Sequence, residues 1–223
     1  MRHEIWIGTE GSGVCRFNGS EVIILDKDEG LTGNVVRSLY EDSKGNIWIG
    51  TDNGLDKYDG YDLHSFRETD ISETNVLAIN EDRNGNIWIG TQSKGLFRIS
   101  EGDSLEIENF TTSNGLVSPF IFDIDFDQYN RMWLSMIGGI NVVEYHQGNF
   151  SVKRLVEGKE IPSGNILCGD KDINGDFWFG SFDDGLFKIE VKEDLSEIKW
   201  EKPDFVSFLD QTRIWDIKWT ATY

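Results

Sequence analysis

The sequence predicts an all-β protein, a five-bladed β-propeller with four antiparallel strands per blade. Three observations predict it: a fivefold internal repeat, several short strand patterns in each repeat, and a composition rich in glycine and poor in proline. Ile-Trp-Ile-Gly-Thr occurs at 5–9, 47–51 and 87–91, with weaker copies Met-Trp-Leu-Ser-Met at 132–136 and Phe-Trp-Phe-Gly-Ser at 177–181. The tryptophans at 6, 48, 88, 133 and 178 are 42, 40, 45 and 45 residues apart, a period that suits one four-stranded blade. The 24 glycines and 3 prolines speak for many tight turns.

Each unit reads in the same order. In the second, 35–41 is a β-rich run and Asp42-Ser-Lys-Gly45 a turn. A strand at 46–51, another at 54–58 and a fourth at 63–67 after Asp59-Gly60 complete it. An aspartate (Asp42, Asp82, Asp127, Asp172) lies six residues before four of the tryptophans, and Gly45, Gly85, Asn130 or Gly175 three before. The expected blades are 34–67, 75–110, 119–155 and 165–209, with the first assembled from 4–25 plus the C-terminal run 213–223. That run, Arg213-Ile-Trp-Asp-Ile-Lys-Trp-Thr-Ala-Thr-Tyr223, reads as an innermost strand, with Tyr223 where the other blades carry their aspartate. Residues 190–212 read as an extended, charged outer hairpin. Pairing of the C-terminal strand with the N-terminal strands would close 1–223 as one domain and remove an open sheet edge.

Composition narrows the function. Lys plus Arg number 21 against 40 Asp plus Glu, a formal charge of −19, which argues against a nucleic-acid partner and an anionic membrane surface. No apolar run is long enough to span a bilayer. Met-Arg-His-Glu-Ile-Trp at the start lacks a secretory leader, so the chain is expected to be cytoplasmic if complete, or a piece of an exported protein. Two cysteines are no disulfide framework.

The repeated residues first suggest structure. The tryptophan on each second strand fills the wedge between neighbouring blades, and the aspartate of each turn accepts hydrogen bonds from backbone N–H groups further along. Asp170-Lys-Asp172-Ile-Asn174-Gly175-Asp176 superficially resembles a calcium loop, but Ser181 stands where a bidentate glutamate is needed. Asp123, Asp125 and Asp127 alternate along an innermost strand. They read as a solvated face or as an acidic channel lining for a cation. His3, His64 and His146 fall in different blades without metal spacing, and His64 and His146 belong on outer strands. Cys15 and Cys168 read as small buried hydrophobes. No nucleophile elbow or phosphate loop occurs, and no metal or cofactor is expected. A propeller glycan hydrolase or lyase with scattered carboxylates stays open as an alternative, as does a protein–protein scaffold.

The unit from Asn34 to Tyr58, with Asn-Val-Val-Arg-Ser-Leu-Tyr-Glu-Asp-Ser-Lys-Gly-Asn-Ile-Trp-Ile-Gly-Thr, and its neighbour from Asn75 to Thr91 closely resemble the two-component regulator propeller repeat. The resemblance implies a non-catalytic ligand-sensing module. Such repeats build periplasmic sensors of membrane-bound hybrid histidine kinases, so the implied partners are oligosaccharides or other small polar ligands and a histidine kinase or other signalling protein. In a propeller, loops entering the first strands and loops between second and third strands share one mouth. Here they supply Asn34, Asn53, Asn75, Gln92, Ser93, Met136, Asn165, Asp183 and Trp215. Amides, hydroxyls and an aromatic face suit a polyhydroxylated ligand. The asparagines are equally well explained as partners for loop backbone groups.

Overall fold

The computed structural model describes residues 4–102, 104–155, 158, 160–162, 164–196 and 198–220. It divides into two compact units, 1–109 and 110–223. The first unit holds three antiparallel sheets. These are β1 (Ile5–Gly8), β2 (Val14–Phe17) and β3 (Val22–Leu25); β4 (Val36–Glu41), β5 (Ile47–Thr51), β6 (Gly54–Tyr58) and β7 (Leu63–Ser65); and β8 (Val76–Glu81), β9 (Ile87–Thr91), β10 (Leu96–Glu101) and β11 (Leu105–Phe110). The second holds two: β12 (Ile121–Phe126), β13 (Met132–Met136), β14 (Gly139–His146) and β15 (Asn149–Leu155), then β16 (Ile166–Lys171), β17 (Phe177–Ser181), β18 (Leu186–Ile189) and β19 (Trp200–Glu201). Every sheet is a meander in chain order.

The Ile-Trp-Ile pattern explains the layering. On a strand, tryptophan points to one side and its flanking residues to the other. Both sides are buried where a sheet lies between two others, so the run is apolar throughout. In the first unit Trp48, Leu55, Phe66 and Ile71 pack on Ile87, Ile89, Phe97 and Ile99 of the next sheet. In the second, Trp133, Ile140 and Val142 pack on Phe177, Phe179 and Phe187, with Trp133 centred 5.1 Å from the Phe177 ring.

The turns form as read. Gly45, Gly85 and Gly175 have φ of 83°, 80° and 86°, and Asn130 follows at 63°, the left-handed conformation that glycine and asparagine enter most easily. Each donates its N–H to the turn aspartate's carbonyl. Gly8, Gly50 and Gly180 serve packing instead. A Cβ added to any of them would stand 2.6 Å from Val36, Val76 or Ile214 respectively.

Three features depart from the expected layout. The first sheet has three strands, and 211–220 carry no strand, while Tyr223 lies outside the described residues. Ile214 nevertheless takes the seat that Val36 and Val76 take beside their glycines. Its N–H donates to Ser181 O at 3.0 Å, as Val36 donates to Thr9 O at 2.9 Å. The outer hairpin expected over 190–212 is reduced to the two-residue β19 and a 3₁₀ segment, Asp204–Leu209, which Pro203 precedes and buried Val206 anchors. Cys15 is partly exposed rather than buried, whereas Cys168 is buried.

The first sheet also has a bare face. Ile5 pairs across β2 with Phe17 and on to Val22, and Ile7 with Cys15 and on to Ile24. Ile5, Val22, Ile7 and Ile24 are 57%, 62%, 49% and 53% exposed. Their counterparts Ile49, Ile87, Ile89, Phe177 and Phe179 are buried.

Candidate functional site

Each innermost strand carries a β-bulge near its start, at 36/38, 76/78, 121/123 and 166/168. A bulge turns the strand and re-aims the side chains around it. The residue before the strand is tied to the loop after the second strand. Asp52 N donates to Val35 O, Gln92 N to Asn75 O, Ile137 N to Phe120 O and Phe182 N to Asn165 O. Within each unit these two kinds of loop therefore share one end of their sheets, the placement expected of a mouth.

In the first unit the amides tie loops together. Asn34 Oδ1 accepts from Lys27 N at 2.9 Å, and Asn53 Nδ2 donates to Thr32 O at 3.2 Å. Asn75 Nδ2 donates to Gln92 Oε1 at 2.5 Å, and Ser93 Oγ lies 3.1 Å from Thr74 Oγ1.

The second unit is different. Met136 is fully buried and offers no surface to a ligand: it ends β13 opposite Ile121, in the core. Asn165 instead borders a cavity of about 240 Å³ with Phe122, Ile137, Leu167 and Phe182. Beside it the C-terminal segment is held by Ile214, by a Cys168 Sγ to Ile214 O contact of 3.7 Å, and by Trp219 N donating to Asp170 Oδ2 at 2.6 Å. This holds the Arg213 guanidinium 3.4 Å from the centre of the Phe182 ring and 5.2 Å from that of Trp215, a cation–π arrangement. Trp215 is 65% exposed and Asp183 is also open to solvent. Of the expected mouth residues, Asn165 thus borders the cavity, while Asp183 and Trp215 are exposed. Sequence reasoning missed Phe122, Ile137, Leu167, Phe182 and Arg213. The signal for Arg213 was register: aligning Ile214-Trp-Asp-Ile on Ile121-Phe-Asp-Ile places it level with Asn75 and Asn165.

Acid lies beside the C-terminal segment. Asp123 Oδ2 accepts from Gly169 N and Oδ1 from Ile124 N, both at 2.9 Å. Burial pushes its carboxyl up to about 6 against those hydrogen bonds, and the charges of Asp216 and Asp170 add to the rise. Burial, then Asp123 and Asp170, hold Asp125 well above the ordinary range, with Lys171 and Lys218 opposing. Asp127 does not join them. It is buried in its turn, bonded to Trp133 Nε1 at 3.0 Å and Arg131 Nε at 2.6 Å.

Other candidates resolve into structure. In the calcium-like turn, Lys188 Nζ stands 2.8 Å from Asp176 and 3.5 Å from Asp172, where a cation would need those carboxylates. No group of three or more His, Cys, Asp or Glu among the described residues is arranged to hold a metal. His64 is exposed and bonded to Asp59 at 2.8 Å, His146 is exposed, and His3 lies outside the described residues. Burial pushes the Cys168 thiol up to about 12, which makes it a poor nucleophile. A cavity of about 230 Å³ between the first and second sheets is lined by Arg16, Glu4, Trp6 and Tyr58. There Arg16 spends its donors on Glu4 and on Tyr58 Oη.

Residues 30–53 and 70–93 match the family model described as Two component regulator propeller. The chain is 31% identical over 191 residues to Histidine kinase P4 of Formosa agariphila, an alignment covering 79% of this chain and 14% of that protein. It superposes with a TM-score of 0.74 and 25% identity on the extracellular domain of BT3049 from B. thetaiotaomicron, assigned to a hybrid two component system, over 90% of this chain and 27% of that one. Virginiamycin B lyase from Staphylococcus aureus shares the fold at a TM-score of 0.65 and 15% identity, over 91% of this chain and 67% of that one. The chain therefore spans about a seventh of the kinase and about a quarter of the extracellular domain. Repeat, sheets and neighbours define a β-propeller fold, shared with the extracellular domain of a two-component system. Residues 30–53 and 70–93 are two-component regulator propeller repeats.

Proposed function

We propose that this chain is a non-catalytic, extracytoplasmic ligand-sensing module. On this reading the mouth of its second unit binds a small polar ring-bearing ligand, such as an oligosaccharide. The supporting observation is the convergence of an open indole, Trp215, with the Phe182–Arg213 stack and the cavity beside Asn165. Flat faces for stacking beside a few polar groups are what saccharide recognition uses. The first unit's amides serve loop order, so the binding residues are Asn165, Asp183 and Trp215 with Phe182 and Arg213.

Ligand binding would order the 213–220 segment, and a signalling partner, a histidine kinase by kinship, would read that change as a population shift. Trp215 reports it directly. Titrating the protein with an oligosaccharide library should change tryptophan fluorescence and raise the melting temperature, and Trp215→Ala and Phe182→Ala should abolish both responses. Release of a cleaved product would replace this reading with catalysis. A response unchanged in both variants would move the site elsewhere.

A further inference from the structure

Arg213 stands apart from the other arginines whose bonds are described. Arg16, Arg98 and Arg131 donate to the carboxylates of Glu4, Glu108 and Asp127. Arg67 and Arg154 donate to the loop carbonyls of Gly30 and Gly115. Arg213, in a chain with 40 carboxylates against 21 cationic side chains, has no carboxylate partner among the described residues. Its planar face lies on Phe182, which leaves the N–H donors on its edge directed away from the ring. A guanidinium held flat by an aromatic ring is oriented before any ligand arrives, and its forked donors match a carboxylate in two parallel bonds. Unpaired cations on so acidic a surface would ordinarily find a local acid. Exposed Asp183, beside Phe182 in sequence, does not pair with it.

We infer that the ligand of this mouth is acidic: a carboxylate-bearing pyranose ring, a uronic acid unit, stacked on Trp215 with its carboxylate on Arg213. The inference rests on the saccharide-binding reading above.

The test is a glycan array of matched neutral and uronate-containing oligosaccharides, followed by tryptophan-fluorescence titration of the best uronate and its neutral counterpart. Wild type should prefer the uronate by roughly tenfold or more, as a charge-assisted pair in a partly shielded site allows. That preference should shrink with added salt. Arg213→Gln should abolish the preference, bringing uronate affinity down to that of the neutral sugar measured on the same variant. Equal binding of both sugars, or an unchanged preference in Arg213→Gln, overturns the acidic ligand while saccharide binding stands. Binding of neither sugar overturns both.

Discussion

Asp82 accepts hydrogen bonds from the backbone N–H groups of Asn84 and Asn86, from the Asn86 amide and from Trp88 Nε1. Asp42 and Asp172 do the same work for Trp48 and Trp178. The aspartate therefore satisfies the buried indole as well as the turn. Its constant distance of six residues from the tryptophan was visible in the sequence, but spacing does not say which atoms meet. Asp42 shows how the balance falls. Burial pushes its carboxyl up, yet the bonds from Asn46, Trp48 and Lys44 outweigh that and hold it below the usual range. Its stabilisation is present above the ordinary carboxylate pKa and lost as pH falls through the lowered one. Asp123 has the opposite sign. Its ordinary value of 3.8 rises to about 6 in the fold, so the folded state holds the proton more tightly. That stabilisation is full below about 4 and lost as pH rises through about 6. Denaturant melts from pH 4 to 7 should show stability declining over this window. Asp123→Asn, whose carbonyl still accepts one bond, should flatten the decline, and an unaltered slope would mean Asp123 is not the group responsible.

At the scale of the element, the bulged innermost strand and the glycine of Ile-Trp-Ile-Gly work together. The glycine lets the next innermost strand approach, and the bulge turns that strand's end toward the mouth. The strands were legible because β-branched and aromatic residues between Asp-x-x-Gly turns leave little alternative. The outer hairpin at 190–212 was not. Its anchored apolar residues, Val191, Leu195, Ile198 and Val206, are spaced without strand alternation, and the ladder stops after Trp200 and Glu201. The bulges were also hidden, since one extra residue on a strand leaves no mark in apolar alternation. Gly180 carries the element-level prediction. A side chain there would meet Ile214 at 2.6 Å and Cys168 Sγ at 2.7 Å, and overpacking of this kind costs about 1–3 kcal/mol. Gly180→Val should displace 213–220 from β16 and β17. Limited proteolysis should then cut that segment about tenfold faster or more, with Trp215 and Trp219 emission shifted to the red. Unchanged cleavage would show that the segment is held by other contacts.

For the molecule as a whole, the repeat was the most legible feature because its period survives even where its residues change. The fourth unit has Asn130 for glycine and Arg131 where its neighbours have Asn or Asp, yet Arg131 restores the turn by bonding Asp127 and the carbonyls of Glu193 and Lys192. The mouth was legible only in part. Loop positions follow from topology, whereas the choice between amides that face a ligand and amides that fasten a neighbouring loop depends on local partners. The first sheet carries a different consequence. Ile5, Ile7, Val22 and Ile24 present an oily plane to water, and such planes are adhesive. A dye that fluoresces in greasy surroundings should brighten on the native protein. Paired lysines at Ile7 and Ile24 should dim it and slow clumping during storage without lowering the melting temperature. Full brightness in that double variant would place the sticky ground on another part of the molecule.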